Sequence, residues 1–102
     1  MDRPLLISTI AEHAEKFHGD REIVSVTMDN PNHRYTMGDA VKRSRQLANA
    51  LDKLGLERGD RVATIAWNDY RHLEIYYAVS GAGFVCHTIN PRLFPEQLVF
   101  II

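Results

Sequence analysis

Apolar positions recur along this chain with two different periods, and the alternation between them divides it into helical and extended segments. Leu6, Ile10, Ala14 and Phe17 are spaced for one face of a helix. Ser8 or Thr9 can cap it, Glu12 completes a capping box with Thr9, and Gly19 suits the position just past its end. Glu22 to Met28 alternates and is rich in β-branched residues, which predicts a strand. Asp29-Asn30-Pro31-Asn32 is a turn by composition, and His33 to Thr36 reads as the partner strand of a hairpin.

Thr36 then caps a long helix with Asp39 at its third position. Met37, Ala40, Val41, Ser44, Leu47, Ala48, Leu51 and Leu54 form its apolar stripe, and Gly55 stops it. Lys42, Arg43, Gln46, Asn49 and Lys53 face away. Arg61 to Trp67 is a near-continuous apolar run bounded by turn residues, the pattern of a strand covered on both faces. Asn68 or Asp69 caps a helix to about Gly81 that is apolar almost all round, and Phe84 to Ile89 is a second buried strand. Residues 61–89 therefore read as one parallel strand–helix–strand unit, the connection being long enough for the crossover that parallel pairing needs. Pro91 and Pro95 bracket a loop, and Glu96 begins a last helix that runs to Ile102 with apolar residues still arriving. No glycine, basic last turn or polar tail follows, so the end reads as a cut through a helix. The expectation is an α/β fold with an incomplete sheet, residues 1–102 being a single partial domain.

Composition changes little. Apolar residues make up 45% and charged residues 25% of 102 positions, with a net charge of −1, which is ordinary for a globular chain. Lys42, Arg43 and Arg45 cluster on a helix face that reads as solvated, so no nucleic-acid partner is expected. The one cysteine, Cys86, excludes an internal disulfide and reads as a small core hydrophobe. Leu5-Leu6-Ile7 is too short for a signal-peptide core, and no run approaches the roughly 18 apolar residues of a membrane span. A cytoplasmic location is expected.

Candidate chemistry is sparse. Gly81-Ala82-Gly83 precedes a strand and opens no helix, so it does not match a dinucleotide fingerprint. His13, His18, His33, His72 and His87 lack the spacing of a zinc site; His87 is the most interesting of them, read as a hydrogen-bonded strand-end histidine. Ser80 is not in a nucleophile elbow. Asp69 reads as a cap and Glu74 as a polar helix position. If any residues face a ligand, they lie beyond the carboxyl ends of the two parallel strands, in Trp67-Asn68-Asp69 and His87-Thr88-Ile89-Asn90-Pro91. Helix capping by Asn68 and a turn at Asn90-Pro91 are the plainer readings there.

The order of features resembles a family. Arg34-Tyr35-Thr36, Ser44 to Leu51, Gly55-Leu56-Glu57-Arg58-Gly59-Asp60-Arg61-Val62-Ala63, and Gly81-Ala82-Gly83 leading to Asn90-Pro91-Arg92-Leu93 are together similar to the N-terminus of the acyl-adenylate-forming (AMP-binding) ligases. Trp67-Asn68 and Val85 to Gln97 look most like fatty-acyl-CoA and methylmercaptopropionate-CoA ligases of bacteria. The resemblance implies a larger acid–thiol ligase that uses ATP, Mg²⁺ and coenzyme A to convert a small carboxylic acid to acyl-AMP and then to acyl-CoA. The family's catalytic motifs are a Gly-rich loop ending in Pro-Lys, an aromatic-Gly-x-Thr-Glu segment, a ribose-holding Asp and a C-terminal Lys. None occurs here. Catalytic, cofactor-binding and metal residues are therefore all expected to be none in this chain, its partner being the remainder of the ligase. Phe94 stands where relatives often place a Ser or Thr cap. A second reading is a self-standing α/β interaction module that dimerises through its unfinished sheet, which would make the chain a homo-oligomer.

Overall fold

The computed structural model describes residues 6–102; Leu5 lies outside them. The elements run α1 (Ile7–His18), β1 (Glu22–Ser25), β2 (His33–Thr36), α2 (Met37–Asp52), β3 (Arg61–Ile65), α3 (Tyr70–Gly81), β4 (Val85–Ile89) and α4 (Pro95–Ile101). They form an antiparallel pair, β1–β2, and a separate parallel pair, β3–β4, in the register Arg61↔Val85 to Ile65↔Ile89. The α/β class, the hairpin and the strand–helix–strand unit match the expectation.

The core lies where α1, α2 and α3 pack together. Ala40, Val41 and Ser44 of α2 and Ala78 and Val79 of α3 are buried. The small side chains on both helices permit this close approach. Arg45 donates two hydrogen bonds to Glu15, at 2.7 and 2.8 Å, and ties α1 to α2.

Several boundaries differ from the sequence reading, each for a local reason. No side chain caps α1: Leu6 is its N-cap, and Ser8 and Thr9 lie inside the first turn. Its buried position is Ala11, and Leu6, Ile10 and Phe17 of the expected stripe are exposed. Gly19 is right-handed, with φ −61°. Its need is close approach: a Cβ there would stand 2.6 Å from the Glu15 carbonyl oxygen. β1 stops at Ser25 because the Thr27 side chain takes over the backbone. The Thr27 hydroxyl accepts from Asn30 N–H at 2.8 Å and donates to Asp29 Oδ1 at 2.7 Å. β3 stops at Ile65, opposite Ile89. Pro91, with no N–H to donate, follows two residues later.

β3 and β4 are not covered on both faces among the described residues. Ile65 is 58% and Val85 48% exposed, while Thr64 and Ile89 are buried. The turn joining α3 to β4 depends on Gly83, at φ +88°, a conformation that side-chain-bearing residues rarely adopt. Its carbonyl accepts from Gly59 N–H at 2.8 Å and fastens the two loops preceding the parallel strands. At α4, Gln97 Oε1 accepts from Phe94 N–H at 3.1 Å, giving half of a capping box that the Phe94 ring cannot complete. Phe94 itself is exposed.

Candidate functional site

A cleft of about 400 Å³ opens at the carboxyl ends of β3 and β4. It is built from the Ala66-Trp67-Asn68 turn on one side, the Thr88 to Arg92 segment on the other, and His72 and Tyr76 of α3 between them. This is the position that a parallel strand–helix–strand unit offers a ligand.

Local chemistry fixes each wall. The Asp69 carboxylate accepts from the backbone N–H groups of Arg71 and His72, at 2.9 and 3.1 Å, and so starts α3 beside the strand end. That places His72 one turn into the helix, where its ring is buried with Nε2 3.0 Å from the buried Thr64 hydroxyl of β3. The Tyr76 ring stacks on it with centroids 4.5 Å apart. His72 Nδ1 is buried and has no hydrogen-bond partner among the described residues. On the opposite wall, Asn90 Oδ1 accepts from Arg92 N–H at 2.9 Å. This turn lays the Arg92 guanidinium 5.4 Å from the Trp67 ring centroid.

Of the sequence candidates, Trp67, Asn68, Thr88, Ile89, Asn90 and Pro91 come together in this cleft, and Asp69 and His87 do not line it. Asp69 is the α3 cap, as one plain reading held, and Asn68 is not. His87 lines a different surface with Cys86. Sequence reasoning missed His72, Tyr76 and Arg92. The available signal for His72 was its position three residues after a capping Asp in an otherwise apolar helix.

A second polar cluster joins α3 to the hairpin. Glu74 is buried, contrary to its reading as an ordinary polar helix position. Its Oε2 accepts from the Tyr35 hydroxyl at 2.9 Å and from Arg43 Nε at 2.7 Å. Arg43 therefore does not simply face solvent. Burial, together with the neighbouring Glu74 carboxylate, pushes the Tyr35 hydroxyl far above the ordinary phenol range. Beside it His33 stacks on Tyr70 with centroids 3.6 Å apart.

Neither cluster fits a nucleotide or its metal. Among the described residues no group of three His, Cys, Asp or Glu side chains could hold a metal ion. The glycines with positive φ, Gly55, Gly59 and Gly83, lie in turns that do not open a helix on a phosphate. No helix of the described residues is long and apolar enough to cross a membrane.

With this geometry the chain belongs to the AMP-binding enzyme family, whose model matches residues 10–102. It is 60% identical to the 3-methylmercaptopropionyl-CoA ligase of Ruegeria lacuscaerulensis over 102 residues, all of this chain and 19% of that protein. It is 55% identical to a medium-chain-fatty-acid–CoA ligase of Ectopseudomonas oleovorans, with the same coverage of 100% and 19%. Among solved structures, the fold matches a Mycobacterium tuberculosis fatty acyl CoA synthetase with a TM-score of 0.78 at 23% identity, over 94% of this chain and 19% of that one. It also matches an anthranilate CoA ligase with a TM-score of 0.81 at 22% identity, over 98% of this chain and 19% of that one. The chain thus spans about a fifth of the length of the relatives it matches. The reading as a self-standing dimerisation module finds no support in these matches.

Proposed function

We propose that this chain is the N-terminal part of a cytoplasmic, ATP-dependent acid–CoA ligase. The carrying observation is the 60% identity to a CoA ligase along the whole chain. In the proposed reaction a carboxylate oxygen attacks the α-phosphorus of ATP and pyrophosphate leaves; the coenzyme A thiol then displaces AMP from the acyl carbon. Mg²⁺ would neutralise phosphate charge in the first step. The residues described here fit neither the nucleotide nor the metal, so neither step is assigned to them. Their part is to build the strand–helix–strand unit and the cleft at its carboxyl end. The names of the relatives favour a medium-chain fatty acid or a methylmercapto acid as substrate.

The test is a graft of residues 1–102 in place of the matching segment of the Ruegeria lacuscaerulensis ligase. With acid, ATP, Mg²⁺ and coenzyme A, the graft is expected to release pyrophosphate and form acyl-CoA, and the 102-residue chain alone to do neither. Pyrophosphate release by the chain alone, or a folded but inactive graft, would count against the proposal.

A further inference from the structure

Two turns form the lips of the cleft: Ala66-Trp67-Asn68, which leaves β3, and Thr88 to Arg92, which leaves β4. The parallel ladder ends at Ile65↔Ile89. Past that pair, no hydrogen bond or ion pair joins the two lips among the described residues. Each lip is fastened on its own side instead. Asn90 accepts from Leu93 N–H at its carbonyl and from Arg92 N–H at Oδ1, and the Asp69 carboxylate ties the other lip to the start of α3. The Arg92 side chain does cross between them, its guanidinium carbon 5.4 Å from the Trp67 ring centroid. Arg92 is exposed, and beyond this contact its guanidinium has no ion-pair partner among the described residues.

We infer that Arg92 is a side-chain latch across the mouth of this cleft, closed while its guanidinium lies on Trp67 and open when it swings into solvent. An exposed cation–π contact favours the closed arrangement by only about two- to fivefold. The closed state is therefore preferred, yet roughly 15–30% of molecules stand open at any moment. Opening needs rotation of one exposed side chain, a picosecond-to-nanosecond motion, and no change in the fastened backbone of either lip. Closed, the latch narrows the entrance to a cleft whose inner wall carries His72 and Tyr76. Its role is to meter access, whichever molecule enters. A lysine at the same place would keep the charge but lose the planar stacking of the guanidinium on the ring.

Trp67 is the single tryptophan of the chain, so its emission reports on the latch. In the parent chain the δ-methylene proton resonances of Arg92 are expected upfield, in the shielding region above the indole, and they should return to their ordinary position in Trp67→Leu. Arg92→Gln, checked by far-UV circular dichroism, should raise acrylamide quenching of Trp67 by at least about 1.5-fold, the gain expected when a ring face covered in most molecules becomes open. The same variant should speed diethyl pyrocarbonate modification of His72, read by peptide mass spectrometry, by at least about twofold. Exposed His13 and His18 should react as in the parent. Arg92→Lys should fall between parent and Arg92→Gln in both measurements. If a variant speeds His13 and His72 alike, it has loosened the fold, and the Arg92 resonances of the parent then decide. Unshifted Arg92 resonances, equal quenching in parent and Arg92→Gln, or His72 modification unchanged by Arg92→Gln in the folded chain would each overturn the latch.

Discussion

Glu74 shows how a single residue can escape a periodicity reading. In sequence it interrupts an apolar helix, and interruption of that kind usually marks the solvent side. In the structure its carboxylate is buried and is held by Tyr35 and Arg43, which stand 39 and 31 residues away. Neither partner lies within the few residues that helical spacing surveys, so the burial was illegible locally. His72 and Thr64 were hidden for the same reason. Tyr35→Phe keeps the ring and removes the donor to a buried carboxylate. It should destabilise the fold by about 1.5–3 kcal/mol, the range for a hydrogen bond to a charged group, as read from urea unfolding. Because the Tyr35 hydroxyl is raised in the folded state, its contribution is complete below the ordinary phenol value of 10.0 and declines as pH rises beyond it. An alkaline absorbance titration should therefore show the Tyr35 hydroxyl still protonated well above the ordinary phenol value. Cys86 behaves more simply: partial burial raises its thiol, so iodoacetamide at pH 8 should modify it more slowly in the native chain than in urea.

At the scale of elements, legibility follows how local the determining interaction is. α2 was readable from its cap and from most of its stripe, but it ends at Asp52 with Lys53 as its C-cap, short of the expected stop at Gly55, and Leu54 of the expected stripe is exposed. Asp39 N–H donates to Thr36 Oγ1 and Thr36 N–H donates to Asp39 Oδ2, each at 3.1 Å, so the capping box is complete within four residues. α1 offered the same letters at Thr9 and Glu12, but Leu6 became its cap and its buried face runs through Ala11. Contact with α2 and α3 decided that face, and no local pattern records it. Likewise the apolar runs of β3 and β4 predicted cover on both faces, while the described residues cover only part of them. The α2 cap makes a pH-dependent prediction. Hydrogen bonds from Thr36 backbone and side chain hold the Asp39 carboxyl below its ordinary value of 3.8. A depressed carboxyl stabilises the fold above its unfolded value and loses that contribution as pH falls through the folded one. Asp39→Ala should be less stable than the parent at pH 7, and the difference should shrink below pH ~4 in a series of thermal melts. Thr36→Ala, which removes the reciprocal acceptor, should cost about 1 kcal/mol.

The whole molecule carries more surface than its length calls for. A compact monomer of 11.7 kDa exposes about 5,900 Å² by the usual mass scaling, and this chain exposes 7702 Å². Its radius of gyration is 14.9 Å, against about 13 Å for a compact domain of this size. Large apolar side chains are among the exposed groups: Val99 and Phe100 of α4 are 78% and 91% exposed, and Ile65, Trp67 and Val85 stand open along the parallel pair. Such a surface attracts other apolar surface. The sequence showed the apolar residues but not that they remain uncovered, since covering depends on contacts outside any one element. The expected behaviour of the 102-residue chain alone is a broad thermal transition with enhanced fluorescence of an added apolar dye. In the ligase graft the same segment should gain cover: backbone amides of β3 and β4 should exchange with deuterium at least tenfold more slowly than in the chain alone. Replacing Val99 and Phe100 together by Ser should lower dye binding by the isolated chain without altering its far-UV spectrum, because neither side chain is buried in the fold. A sharp, dye-silent transition of the chain alone, with exchange equal to that of the graft, would instead mean that the exposed apolar groups are tolerated as free surface.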